Sequence, residues 1–349
     1  MLEKEIENNI ENKSNNSSNS SSSKLIRKEK IFYHKLNELK LNNLNPENEI
    51  ILNREKIIFL TFDIKIRAKF LESSENSKEK IKEFSENLKN FDIICLQNIS
   101  SSFDDFNYSL IENASKNGFF FFSNSNSVDF FSSYFYENGQ IILSRFLIEK
   151  FSFIPFENNI LNDSTEQKGI LYSKIKIKNN FLNVINVNLQ SNEFNKEKKN
   201  SNEILNLLKD CKKIRKNQIL LIIKFLKEVL LENSENFKEG DLIILCGKFN
   251  NISNENNNEI DEIIELFKNN KINIKNVSGI KNVDFIFEIN KENFESNFEI
   301  KCDFDNSDVK FEIGNENLNG ISCEIFYKGK IDESENFNEK YNEKEELID

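Results

Sequence analysis

Residues 241–250 read DLIILCGKFN. Four apolar residues, Leu242, Ile243, Ile244 and Leu245, run unbroken between polar ends. A strand covered on both faces has this composition, because each side of its pleat must be apolar. The run stops at Cys246 and Gly247 and hands over to Lys248, Phe249 and Asn250. A polar segment at the end of a buried strand is where sites are built, since the strand is rigid and the loop can carry chemistry.

Outward from this stretch the signals alternate. Residues 56–64 (KIIFLTFDI) and 92–97 (DIICLQ) read as two more buried strands. Residues 77–89 place Ile81, Phe84 and Leu88 at helical spacing, with Ser77 as a cap. A second helix is expected over 103–116, a long one over 201–232 and a short one over 259–267. Further strands are expected at 119–122, 140–143, 170–177, 181–189, 283–287, 298–304, 309–313 and 320–327. The aromatic stretch 118–136 reads as core strands around a polar turn, because a core without Trp needs its 33 Phe. Strands with helices between only some of them make a mixed α/β chain. Two β-sheets stacked face to face with helices outside fit, as do other layered folds.

The bulk properties narrow the partners. The chain has 349 residues and a formal net charge of −11, so phosphate backbones and anionic lipid are repelled and no nucleic-acid partner is expected. The 5 Cys form no Cys-x-x-Cys pair, which fits reduced thiols and a cytoplasmic protein. No secretory signal is visible, and no apolar run reaches the ~18–20 residues of a membrane helix, leaving peripheral membrane contact as the only membrane reading. Residues 1–52 are rich in Asn and Ser and are expected to be a disordered arm. His34, the only histidine, lies in it. Residues 53–328 form the expected domain and 329–349 an acidic tail.

Short motifs then follow in order. Thr61-Phe62-Asp63-Ile64 ends the first strand and Leu96-Gln97-Asn98 the second. Asn186-Val187-Asn188-Leu189-Gln190, Gly247-Lys248-Phe249-Asn250, Val283-Asp284-Phe285-Ile286-Phe287 and Ser307-Asp308-Val309 come next. This order resembles the endonuclease/exonuclease/phosphatase superfamily, whose fold is the deoxyribonuclease-I-like four-layer sandwich. The segment 140–145 (QIILSR), the spacing Asp163 to Lys168-Gly169, and Arg215-x-x-Gln218 are similar to metal-dependent neutral sphingomyelinases within it. The resemblance spans roughly residues 56–312.

The resemblance also says what has changed. Asn98 stands where the principal metal glutamate is implied, and Asp63 where an asparagine is. Asn188 and Val309 occupy the two histidine positions, and Lys248 the aspartate of Gly-Asp-Phe-Asn. Asn250 and Asp284 are kept, and Asp308 stands beside the missing base. Asp163 and Lys168 are implied head-group or phosphate contacts, though as a polar-loop pair they would ordinarily be solvated.

These exchanges bear on the implied chemistry, in which a histidine base activates water against a Mg²⁺-bound phosphodiester. Valine accepts no proton. An asparagine oxygen is a poorer Mg²⁺ ligand than a carboxylate, so only Asp63 and Asn98 remain as weak metal candidates. Two like unit charges about 4 Å apart cost about 4 kcal/mol at an effective dielectric of about 20, and a divalent ion beside Lys248 doubles that. Lys248 is therefore expected to pair with Asp63 or Asp308. Two readings follow. One is a catalytically inactive, cofactor-free protein that binds a phosphorylated head group or a protein partner. The other is a working Mg²⁺-dependent phosphodiesterase that hydrolyses sphingomyelin to ceramide and phosphocholine.

Overall fold

Alternation along β1 (Lys56–Ile66) divides its side chains between two cores. Ile57 and Phe59 enter one apolar cluster, whereas Leu60, Phe62 and Ile64 enter another. The two-residue period of a strand forces this split, and burial on both sides explains why the run is apolar. The computed structural model describes residues 56–66, 74–100, 106–125, 136–157, 159–193, 200–232, 236–250, 253–254, 257–278, 284–290, 295–302, 308–313 and 316–329. The expected arm over 1–52, the acidic tail from 330 onward and the aromatic residues 126–135 lie outside them.

After β1 come α1 (Ser74–Asn87), β2 (Ile93–Ser100), α2 (Phe106–Lys116), β3 (Phe121–Asn124), β4 (Tyr136–Ser144) and β5 (Ile148–Pro155). Then follow β6 (Glu166–Gln167), β7 (Gly169–Ile177), β8 (Asn180–Asn188), α3 (Ser201–Phe225) and β9 (Leu242–Lys248). The chain continues with β10 (Ser253–Asn254), β11 (Asn257–Asn258), α4 (Glu259–Asn269), β12 (Asn273–Asn276), β13 (Asp284–Asn290), β14 (Phe298–Lys301), β15 (Asp308–Ile313) and β16 (Glu316–Tyr327). One sheet has the order β14-β16-β1-β2-β4-β3, with β15 on β16 and β6 on β4. The other has the order β12-β13-β9-β8-β7-β5.

Between the sheets, Ile57, Phe59 and Cys95 meet Leu182, Ile244 and Cys246. The outer face of the first sheet is covered by Ile81 and Phe84 of α1 and Leu110 and Ala114 of α2. Phe62 stacks on Phe84 at 5.3 Å between ring centres. The outer face of the second sheet receives Ile219 and Ile222 of α3 and Ile263 and Phe267 of α4. This is the four-layer α/β sandwich expected.

Each sheet holds one central parallel pair in a largely antiparallel setting. These are β1 with β2 and β8 with β9. Parallel neighbours need a crossover, and α1 and α3 supply it. A full capping box starts α3: Asn200 Oδ1 accepts from the Glu203 N–H at 2.9 Å, and Glu203 Oε2 accepts from the Asn200 N–H. The expected helix to 232 is helical in α form to Phe225 and then widens into a π-helical turn over Leu226–Leu231.

Five strands were not expected: the two-residue β6, β10 and β11, and the longer β5 and β12. Both β5 and β12 are sheet edges with half-exposed residues, so neither an unbroken apolar run nor a clean alternation marks them. Phe120, expected in a core strand, precedes β3 and is 43% exposed. Among the described residues no helix is long and apolar enough to cross a membrane.

Candidate functional site

The inter-sheet face of the four central parallel strands is apolar until its last turn of pleat. On β1 it runs Ile57, Phe59, Thr61, Asp63, and on β8 Leu182, Val184, Asn186, Asn188. On β9 it runs Leu242, Ile244, Cys246, Lys248. Carboxyl ends of parallel strands are where α/β sheets place their sites, and here four of them meet.

Local backbone devices aim the side chains. The pairing of β2 with both β1 and β4 shifts between Leu96 and Ile99, a bulge that carries Asn98 at φ 57°. A bulge re-aims a side chain, and asparagine tolerates the left-handed region better than most residues. Asn250 repeats the device after β9, at φ 51°. Gly247 has φ 121°, and a β-carbon there would lie 2.1 Å from the Val187 carbonyl oxygen. Only glycine lets β9 approach β8 this closely.

These devices produce a continuous chain of polar contacts. Lys248 Nζ lies 2.6 Å from Asp63 Oδ2. Asn98 Nδ2 donates to Asp63 Oδ1 at 2.6 Å, and Asn188 Nδ2 donates to Asn98 Oδ1 at 2.8 Å. Asn250 Nδ2 donates to the Leu189 carbonyl at 2.7 Å and lies 3.5 Å from Asn188 Oδ1. The direction of the chain follows from its end. A carboxylate only accepts, so Asn98 must present its NH₂ group and turn its oxygen to Asn188. Both Asp63 oxygens are thus engaged, and Asp63 is buried.

A buried polar belt lies beneath. Gln97 Nε2 donates to Thr61 Oγ1 at 3.0 Å and to Asn186 Oδ1 at 2.8 Å. Asn186 Nδ2 donates to the Leu96 carbonyl at 2.9 Å, and Gln140 Nε2 to the Asn186 carbonyl at 2.7 Å. Motif reading did not single out Thr61, Gln97 or Asn186 as a network. The available signal was their phase, since each breaks an otherwise apolar inner face.

The remaining expected residues stand elsewhere. Lys168 Nζ pairs with Asp163 Oδ2 at 2.7 Å, and Asp163 also accepts from the Ser191 N–H and hydroxyl at 2.6 and 2.9 Å. Both side chains are buried, so this is no solvated loop pair. It braces the segment after β8. Gln190 on that segment exchanges two hydrogen bonds with the Ile160 backbone, and its N–H donates to Gln218 Oε1 at 2.9 Å. Arg215 grips Glu259 through Nε and Nη2 at 2.7 and 3.0 Å, while Nη1 donates to the Gln190 carbonyl and to Asn192 Oδ1. Asn192 Nδ2 in turn donates to the Asn250 carbonyl at 3.0 Å. The expected Arg-x-x-Gln pair on α3 therefore holds the loop that carries the amide chain.

The Asp284 backbone pairs with Lys248 and that of Asp308 with Ile321, both toward the site end of the sandwich. Val309, expected in the site, packs instead against the outer cluster that contains Phe62 and Phe84. Its register row on β16 and β1 is Gly320 and Phe62, the helix-covered face. Among the described residues no group of three or more His, Cys, Asp or Glu is placed to hold a metal ion.

No protein-family profile matches the chain. A sphingomyelinase of Dictyostelium discoideum is 28% identical over 174 residues, 47% of this chain and 38% of that protein. The match therefore spans well under half of that relative's length. Sphingomyelinase C from Streptomyces griseocarneus superposes with a TM-score of 0.54 at 12% identity, over 78% of this chain and 99% of its own. A variant of Staphylococcus aureus beta toxin with bound magnesium ions gives 0.53 at 14% identity, over 78% and 100%. At these identities the structural likeness is one of fold. The chain has the deoxyribonuclease-I-like fold, and over 174 residues its sequence is similar to that of a sphingomyelinase.

Proposed function

We propose that this chain is a sphingomyelinase-like scaffold with a silenced centre, acting by binding or regulation and not by hydrolysis. The observation that carries the reading is the Lys248 ammonium, 2.6 Å from Asp63 Oδ2, with Asn98 on the other carboxylate oxygen. The donor set does not fit Mg²⁺. That ion asks for near-octahedral oxygen ligands and at least one free carboxylate. Among the described side chains the one carboxylate of the cluster, Asp63, is engaged at both oxygens, and a cation stands at its edge. Carbonyl oxygens of Asn98 and Asn188 already face amide donors.

The protonation chemistry is missing as well. A general base must titrate near neutral pH, which is why imidazole serves. Asn98, Asn188 and Asn250 cannot take a proton, and the chain's one histidine is His34. A phosphorylated head group or a protein partner is the ligand class this reading assigns. The free thiols fit a cytoplasmic setting.

The second reading is a Mg²⁺-dependent phosphodiesterase acting on sphingomyelin, favoured by the name of the 28% identical relative. The test is hydrolysis of labelled sphingomyelin by folded protein, with Mg²⁺ and with chelator, beside Asn250→Ala. No turnover is expected in any arm. Mg²⁺-dependent turnover that Asn250→Ala abolishes would overturn the silenced reading. Asn98→Glu, Asn188→His and Lys248→Asp combined then asks whether the scaffold regains the cation and the substrate.

A further inference from the structure

Two of the three large apolar side chains exposed among the described residues lie on α3: Leu205 at 55% and Leu220 at 40%. Between them Lys209, Lys213 and Lys216 are exposed, and none has an ion-pair partner among the described residues. Helical spacing puts these three on one ridge, pointing away from the sheet.

Beside this ridge runs α4. Lys212 Nζ meets Glu262 at 2.7 Å and Arg215 meets Glu259 at 2.7 Å. Residue numbers therefore rise on one helix as they fall on the other, and the two helices are antiparallel. The same register sets Lys209 level with Glu265 and Lys213 level with Asp261. Asp261 and Glu265 are exposed on the outer face of α4. Lys268 falls level with Asn206, beyond the lysine ridge. One face of the molecule thus carries a basic ridge and an acidic ridge side by side.

We infer that this face is the interface of a two-fold homodimer. Rotation by half a turn about an axis along the seam between α3 and α4 lays α3 of one copy on α4 of the other. Levels are kept by that rotation, so Lys209 meets Glu265 of the second copy and Lys213 meets its Asp261. Each contact occurs twice, as an isologous interface requires. Elsewhere the chain's net charge of −11 keeps copies apart, so a self-complementary face decides where they meet. A flat anionic membrane or an acidic peptide fits less well, because the acidic ridge of α4 would repel it. Leu205 and Leu220 lie on the same side of α3, where a partner would cover them.

Sedimentation velocity over a range of protein concentrations tests the interface, using two charge-reversed variants. One carries Lys209→Glu and Lys213→Glu, the other Asp261→Lys and Glu265→Lys. Wild type is expected to dimerise, less so at high salt. Each variant alone is expected to weaken association by at least about tenfold. Mixed in equal amounts, the two variants restore a dimer, because every contact between them is again complementary. All four positions are exposed, and circular dichroism checks that each variant is folded. The inference fails if wild type stays monomeric at the highest concentration it tolerates. It also fails if either variant dimerises as wild type does, or if the mixture does not associate. Retention of wild type on anionic vesicles, lost with the lysine reversals and without any dimer, would assign the ridge to lipid instead.

Discussion

Lys248 Nζ lies 2.6 Å from Asp63 Oδ2, although 185 positions separate the two residues. One stands on β9 and the other on β1, so the pair joins the two sheets at the mouth of their shared core. Both side chains are largely removed from water. Removing one partner of such a pair strands the other charge, whereas removing both does not. Lys248→Met is therefore expected to cost about 3–5 kcal/mol, and Asp63→Asn with Lys248→Met to recover most of it. Urea denaturation of the two single variants and the double variant measures this. A single-variant cost under about 1 kcal/mol would place the pair with ordinary surface bridges.

Asn98 offers a way to separate backbone from side chain. Its amide donates to Asp63 and accepts from Asn188, and its backbone is left-handed. Asn98→Ala loses both hydrogen bonds and also the polar side chain that makes asparagine more tolerant of the left-handed region than alanine, for about 2–4 kcal/mol together. Asn98→Gly keeps the backbone relaxed and should cost about 1 kcal/mol less. Equal losses would mean that the bulge does not strain at this position. The same denaturation measurement decides it.

How much of this was legible from residues alone depends on what each element shows to water. Four strands, β1, β2, β8 and β9, announce themselves because both faces are buried and apolar runs result. Edge strands β5 and β12 do not, since half-exposed positions accept any residue. The pairing of Lys248 with a carboxylate was expected from charge alone, with Asp63 and Asp308 equally open. Register decides for Asp63. The amide chain was not legible, because an asparagine in an Asn-rich chain gives no sign of its partners until a bulge aims it. Asp163 and Lys168 illustrate the reverse error. A polar spacing implies solvent, yet burial under the segment after β8 makes the pair a brace. Val309 failed as a site residue through phase: it shares a sheet row with Phe62, on the face that α1 covers.

Arg215 links α3 to that same segment. Its guanidinium holds Glu259, the Gln190 carbonyl and Asn192, and Asn192 holds the Asn250 backbone. Arg215→Met would leave Glu259 charged and buried, at about 3–5 kcal/mol. The loss should also loosen the loop that positions Asn188 and Asn250. Hydrogen exchange would then rise over residues 188–192, well away from the helix itself. Destabilisation confined to α3 and α4, with exchange over 188–192 unchanged, would break the link drawn here between the helix and the site.

The buried thiols give the fold a pH dependence whose sign can be worked out. Burial pushes Cys95 and Cys323 well above the ordinary thiol value of 9.0, with further contributions from neighbouring cysteines. In the unfolded chain these thiols ionise near 9.0, while in the native protein they keep their protons. The native state then binds more protons than the unfolded state above that pH, so stability falls as pH rises. Below it the contribution is complete. Each thiol should remove about 1.4 kcal/mol per pH unit once the unfolded form is ionised. Lysines and tyrosines titrate in the same range, so the comparison must be between variants. Cys95→Ala leaves a small cavity and is expected to be less stable than wild type at pH 7. Because it has lost one alkaline liability, the gap should narrow steadily between pH 8.5 and pH 10.5. Parallel curves for wild type and Cys95→Ala over that range would mean that Cys95 ionises as readily in the folded core as in the open chain, which its burial between two sheets forbids.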